Sequence, residues 1–328
     1  MKLEQRSLRI GAFVIFLAVF LRLIASESFA KLYADPQLAS ILLYAGTGRT
    51  FSLDASAQQD DVLTPAPAEP EITEPQAPLP RDFSAEDAQL VSVTNHPGYS
   101  IDVPAMLETP LVWDLTESQP TVLILHSHTC ESYENTEGYT PSDPYRTKDA
   151  RYNMVSIGAH LADCLRQKGI QVIHDTTVHD YPSYNNAYPQ SRKTVMAYLE
   201  QYPSIQLVLD IHRDAYEDSK GNQARSTVTI NGKSSSRLML VAGTDASGQG
   251  HPNWAENLSM AVKLQTVLQQ LYPGLCRNLT MRSSAFNQDL SPGALLIEVG
   301  TAGDTRQDAL YAAELLADGI AELACGSR

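Results

Sequence analysis

Basic residues are scarce in this chain: 24 Lys and Arg stand against 38 Asp and Glu, a formal net charge of −14. Nucleic-acid binding needs a cationic surface that displaces counterions from phosphates, so this balance argues against that class of partner. Cysteine is sparse too. Cys130, Cys164, Cys276 and Cys325 form neither a CxxC pair nor a zinc-finger spacing, and read as ordinary small residues. A full-length uninterrupted apolar span is also missing. Ile10 to Leu21 is apolar, Arg22 interrupts, and Leu23 to Ala25 resume, about 16 residues in all, against the roughly 20 that cross a bilayer. Arg22 can snorkel to the interface, and the run exceeds the ~7–15 residues of a signal-peptide core with no clean A-x-A site after it. We read residues 1–30 as an uncleaved single-pass anchor in the cell membrane; a cleaved signal peptide ending near Ala25 or Ala30 is the alternative. Lys2, Arg6 and Arg9 precede the run, which places the N-terminus in the cytoplasm and the rest of the chain outside.

Beyond the apolar run the chain divides by composition. After a juxtamembrane segment (31–54), residues 55–84 combine six prolines with Asp60, Asp61, Glu69, Glu71 and Glu74. Such a stretch buries too little apolar surface to offset its ordering entropy and predicts an extended tether. From 85 to 328 the pattern is that of one catalytic domain. Thr121 to Leu125 is a continuous apolar run and predicts a fully buried strand; a helix from Asn153 through Leu165 ends at Gly169, and Ile170 to Ile173 predicts the next strand. A helix over 191–201 leads to a strand over 205–211. Asn231-Gly232 predicts a hairpin joining 227–230 to 238–241. A helix containing Trp254 and Leu268, a buried strand over 294–299 and a helix over 307–324 complete the domain. The alternation predicts an α/β fold with an open, mostly parallel sheet flanked by helices.

In such sheets ligands sit beyond the carboxyl ends of the strands. Three strands deliver polar residues there: His126-Ser127-His128-Thr129-Cys130-Glu131, Asp210-Ile211-His212-Arg213-Asp214, and Glu298 between Ile297 and Val299. A catalytic zinc takes three His or carboxylate ligands and keeps a fourth position open. His128 and Glu131 form an H-x-x-E pair whose short separation lets both side chains reach one metal, and His212 closes the triad. Glu298 is left as general base, a role consistent with a carboxylate in an apolar strand. The residues by themselves therefore predict a zinc hydrolase.

The segments VLILHSHTCESY, VIHDTTVHDY, LVLDIHRDAY, YPG, FNQDL and LLIEVGT, in this order, resemble the stage II sporulation protein P family from about residue 90 onward. The anchor and acidic tether match that family's layout. The resemblance implies an N-acetylmuramoyl-L-alanine amidase-like fold, Zn2+, and peptidoglycan as substrate during engulfment at the sporulation septum. It also implies a second activity on peptide cross-links, and stage II sporulation proteins D and M as partners. Carried over, the first turn falls on His126, His128 and Glu131, the D-x-H-R-D turn on His212, and the last strand on Glu298. Matching strand ends to the wider zinc amidase class puts the metal histidine on His128 and leaves His126 behind the site or facing substrate, with the reverse assignment open. That class takes its carboxylate near the following helix, where Asn153 stands here, so Glu134 and Glu137 are reserves for Glu131. His174 and His179 are candidates to hold substrate or buttress the site. Arg192 and Arg213 are candidates for a stem-peptide carboxylate or the oxyanion, and Asn287 for the cleft wall. The rival readings are a zinc carboxypeptidase-like or endopeptidase enzyme acting on stem peptides, and a non-catalytic anchored wall-binding protein.

Overall fold

The computed structural model describes residues 82–325 apart from 112, 116, 135–138, 140–144 and 218–222. The expected anchor, the juxtamembrane segment, nearly all of the acidic tether and Glu137 lie outside the described residues. Among the described residues no helix is long and apolar enough to cross a membrane.

The described residues form nine strands: β1 (Val93–Asn95), β2 (Val122–Leu125), β3 (Val172–His174), β4 (Leu207–Asp214), β5 (Thr227–Ile230), β6 (Lys233–Ser236), β7 (Leu238–Gly243), β8 (Leu279–Arg282) and β9 (Ala294–Thr301). Seven build one sheet in the order β1-β8-β7-β9-β4-β2-β3. Every neighbouring pair is parallel except β7 with β9. The expected open, mostly parallel sheet is present, as two parallel halves joined by one antiparallel seam. β2 is buried at all four positions, which is why it reads as a continuous apolar run rather than an alternation.

Among the described residues five α-helices accompany the sheet: α1 (Val103–Glu108), α2 (Met154–Gln167), α3 (Ala187–Gln201), α4 (Trp254–Leu271) and α5 (Arg306–Cys325). Asn153 is the N-cap of α2, its side chain accepting from the Val155 amide, so the position carries capping chemistry. Helices α2, α4 and α5 pack their apolar faces on one side of the sheet, against Ile124, Leu209, Ile211 and Ile297. On the other side α3 meets Leu123, Leu125, Val208 and Ala294 through Val195 and Leu199. Met239, Val241 and Leu296 on that side form a separate apolar patch with Phe286. One face of the sheet is therefore helix-covered only in part, and its uncovered portion is the floor of the cleft.

The hairpin departs from expectation. Asn231 and Gly232 do form the turn, both with positive φ (49° and 75°), but Ile230 pairs with Lys233, so the partner of β5 is β6 and not 238–241. A two-residue turn fixes the register at its own flanks. The stretch from Leu238 is released to join the main sheet as β7.

Candidate active site

Beyond β2 the chain makes a turn whose geometry explains the H-x-x-E spacing. The Glu131 amide donates to the His128 carbonyl at 3.1 Å, and the Thr129 hydroxyl donates back to the His126 carbonyl at 2.8 Å. This closure sets His128 and Glu131 side by side. In the sheet, parallel pairing puts His212 directly opposite Glu298, and Met239 lies opposite Glu298 on its other side. Just beyond, β9 carries an extra residue relative to β4, with Asp214 opposite Thr301. Such a bulge re-aims side chains next to it. Gly300 at φ 74° sits there, with no room for a Cβ beside Asp304 and Ser236.

His128, Glu131, His212 and Glu298 all line one cleft of about 1120 Å³. The rings of His128 and His212 stand edge to face at 5.3 Å, and His212 Nδ1 lies 3.6 Å from Glu131 Oε2. The acids are held in opposite states. Burial pushes the Glu131 carboxyl up, but Arg213 and His212 outweigh it and hold it at about 2. Burial raises Glu298 to about 8, against the pull of His212 and with help from the Glu131 charge. For His212, burial is overridden by Asp210 and Glu131, which hold the imidazole well above its ordinary range. Burial lowers His128.

Three buried atoms here have no hydrogen-bond partner among the described residues: His128 Nδ1, His212 Nε2 and Glu298 Oε2. His212 Nε2 approaches Asp210 Oδ1 to 2.8 Å, without the alignment of a hydrogen bond. Unpaired buried polar atoms are costly and mark sites that meet a ligand. Among the described residues no three His, Cys, Asp or Glu side chains stand at the spacing of a preformed metal cage.

Other sequence candidates fall elsewhere. His126 is 0 % exposed, its Nδ1–H donating to Ile211 O (2.9 Å) and its Nε2 against His174 Nε2 (3.0 Å); a substrate-facing role is ruled out by that burial. His174 does not line the cleft either and supports His126 from behind. His179 is buried and bridges the His126 carbonyl to Thr194 of α3, so it ties the turn to the helix instead of holding substrate. Its neighbour Asp180 accepts from the Cys130 amide and from Arg146. Arg213 lines the cleft but is committed to the carbonyls of Ser132 and Tyr145 and sits 3.6 Å from Glu131, a support for that carboxylate rather than a free anion binder. Arg192 is held bidentately by Asp289. With Asn287, whose amide donates to Tyr188 O and Ser191 Oγ, it lines an adjoining pocket of about 640 Å³ and not the main cleft. Glu134 is exposed and is absent from the cleft lining.

Sequence reasoning missed the aromatic clamp. Tyr184 stacks on His128 at 4.1 Å and carries the Arg146 guanidinium 4.8 Å from its ring centre, and Tyr188 packs against both histidines and Phe286. It also missed Asp210 as a support: this buried acid, held at about 2 by His212 against its burial, accepts from the amide and hydroxyl of Ser127. The D-x-H alternation, which puts both side chains on one strand face, was the available signal.

Fold and site together define an α/β protein whose buried histidine and carboxylate groups open into one cleft at the carboxyl ends of parallel strands. The family is established by comparison: residues 50–321 match stage II sporulation protein P, and the chain belongs to that family. It is 28% identical over 224 residues to stage II sporulation protein P of Bacillus subtilis (strain 168), covering 63% of this chain and 52% of that protein. The chain thus spans about half the length of this relative. Solved structures with some likeness include an N-acetylmuramoyl-L-alanine amidase from Clostridium difficile 630 (18% identity, TM-score 0.37, covering 63% of this chain and 95% of the other). Another is the catalytic domain of the amidase CwlV from Bacillus (Paenibacillus) polymyxa var. colistinus (13%, TM-score 0.36, 62% and 97%).

Proposed function

We propose that the chain hydrolyses peptidoglycan at the amide between N-acetylmuramic acid and L-alanine. The observation that carries this reading is the meeting, in one cleft, of two unpartnered buried atoms, His128 Nδ1 and Glu298 Oε2, with the His212 imidazole and the charged carboxylate of Glu131. Two imidazoles and a carboxylate are a donor set that suits Zn2+, and His128, Glu131 and His212 would hold it. When bound, the metal would polarise the scissile carbonyl and acidify water beside it. Arg213 keeps Glu131 ionised, Asp210 braces His212, and Tyr184 fixes the plane of the His128 ring. Glu298 takes the proton from the attacking water at its free Oε2 and delivers it to the leaving amine. Burial raises this carboxyl, and the charge of a bound cation beside it would offset that rise and leave Oε2 free to accept the proton.

The setting is part of the proposal: anchored in the membrane by the N-terminal run, with the catalytic domain outside, acting in wall remodelling during sporulation beside stage II sporulation proteins D and M. Family membership and the sequence of the first 84 residues support it. The test is digestion of purified peptidoglycan by the full chain, with and without a chelator, and mass spectrometry of the products. Stems with a free N-terminal L-alanine, absent after chelation, are the expected result. Fragments cut only within the cross-link would make the enzyme an endopeptidase, and an unaltered wall would leave a wall-binding protein.

A further inference from the structure

The uncovered sheet face does not end at Glu298. It continues across β7 and β8 to the edge strand β1 as a second hollow of about 510 Å³, which shares His96, Asp214, Met239 and Arg282 with the main cleft. In a chain of net charge −14 this hollow has the opposite balance. Its lining holds three arginines and a histidine against a single carboxylate, Asp214. That carboxylate is already engaged by Arg277 at 2.7 Å, and Arg237 is fixed on the carbonyls of Gly274 and Cys276. Arg282, at the end of β8, is exposed and has no side-chain partner among the described residues. Every other described arginine donates to a carboxylate, a hydroxyl or a backbone carbonyl. An unpaired guanidinium beside two further arginines raises the local positive potential and presents a fork that matches a carboxylate.

We propose that Arg282, backed by Arg277 and Arg237, forms a subsite that binds a carboxylate of the substrate's peptide. The inference rests on the peptidoglycan reading and adds to it which part of the substrate lies where. Arg282 belongs to the second strand over from Glu298 and lies level with Gly243, four residues along β7 from Met239, so two strand spacings and four residue rises put them about 17 Å apart. An extended peptide backbone covers that span in about five residues, and the reach of the arginine and of the peptide's own side chains shortens it. The scissile amide thus sits at Glu298, the peptide runs obliquely over Met239 and Val241 of β7, and an acidic group toward the far end of the stem meets Arg282. Because Arg282 is exposed and makes no contact that the fold relies on, its replacement tests binding without unfolding the protein.

The probe is the released stem tripeptide L-Ala-γ-D-Glu-diaminopimelate, compared with the same peptide amidated at its carboxyl groups. Both are titrated into the full chain by calorimetry. Wild type is expected to bind the acidic form roughly 10-fold or more tightly than the amidated one, the worth of one charge-assisted hydrogen-bonded contact. Arg282→Gln should remove that ratio by weakening the acidic peptide alone, and Arg282→Lys should restore part of it. Equal weakening of both peptides, no change in either, or no binding to wild type would each overturn the subsite. Product binding requires no turnover, so a wild type that leaves the wall uncut would sink the hydrolase reading while this measurement still decides the subsite.

Discussion

The two halves of the sheet carry opposite chemistry. In the β3-β2-β4-β9 half, histidines and carboxylates are buried and held by one another: Asp210 on Ser127 and His212, Glu131 beside Arg213 and His212. In the β7-β8-β1 half, the same face shows apolar Met239 and Val241 and then arginines, with Arg282 open to solvent. The antiparallel seam between β7 and β9 is where they meet, and Glu298 stands on it. Under the proposed function the contrast is a division of labour across one face. Groups that react need desolvation and fixed partners to set their protonation, whereas groups that select a solvated, charged substrate must remain reachable.

The sharpest way to break this division is to empty the reacting half. The His128→Ala, His212→Ala double variant is expected to fall from one bound zinc per chain to none and to lose wall digestion, as metal analysis and product assays report. Full zinc occupancy in that variant would move the metal centre elsewhere. Next in size is Glu298→Gln, which keeps shape but cannot take a proton. Turnover should drop by roughly 100- to 10,000-fold with zinc content and wall binding intact. Loss of zinc along with activity would make Glu298 a ligand and displace Glu131 from that role.

Smaller effects probe the layer behind the site. Gly158 on α2 faces the His126–His174 contact, and a Cβ there would meet His126 Nε2 at 2.5 Å and His174 Nε2 at 2.6 Å. Gly158→Ala should cost about 1–3 kcal/mol of overpacking, read as a lower melting temperature. An unchanged melting temperature would show that this layer yields freely. The least effect is on pH. Burial lowers His174 to about 4 and His126 to about 3 from 6.5. The unfolded chain therefore takes up protons before the folded one does, so stability is full above about pH 6.5 and falls as the pH drops toward 4. His174→Gln should flatten the melting temperature across that window relative to wild type. Parallel profiles would mean that the pair does not titrate on unfolding.

Much of this was legible in the chain. The runs at 121–125, 205–211 and 294–299 read as buried strands because a strand covered on both faces is apolar throughout, and they lie within a residue or a few of β2, β4 and β9. Polar residues at their carboxyl ends then located the cleft. The N-terminal and proline-rich segments were read from composition alone and lie outside the described residues but for 82–84. Less legible were the partners. Arg192 reads the same whether free or paired, and its ion pair with Asp289 spans 97 positions. The hairpin was misjudged because 238–241 is apolar enough to serve either β5 or the main sheet, and turn geometry decided it.

The sequence by itself determined the alternation of helix and strand, the strand edge where chemistry collects and the residue types present there, because burial period and strand-end polarity are local properties. Only the tertiary structure decided which histidine faces the cleft. His126 and His128 lie beyond β2 in a turn, where the two-residue strand period no longer assigns faces. The packing of His126 against His174 and Ile211 settles its place behind the site. The same holds for charge: whether an arginine is committed or free depends on carboxylates and carbonyls brought to it from distant parts of the chain, and no local pattern encodes that.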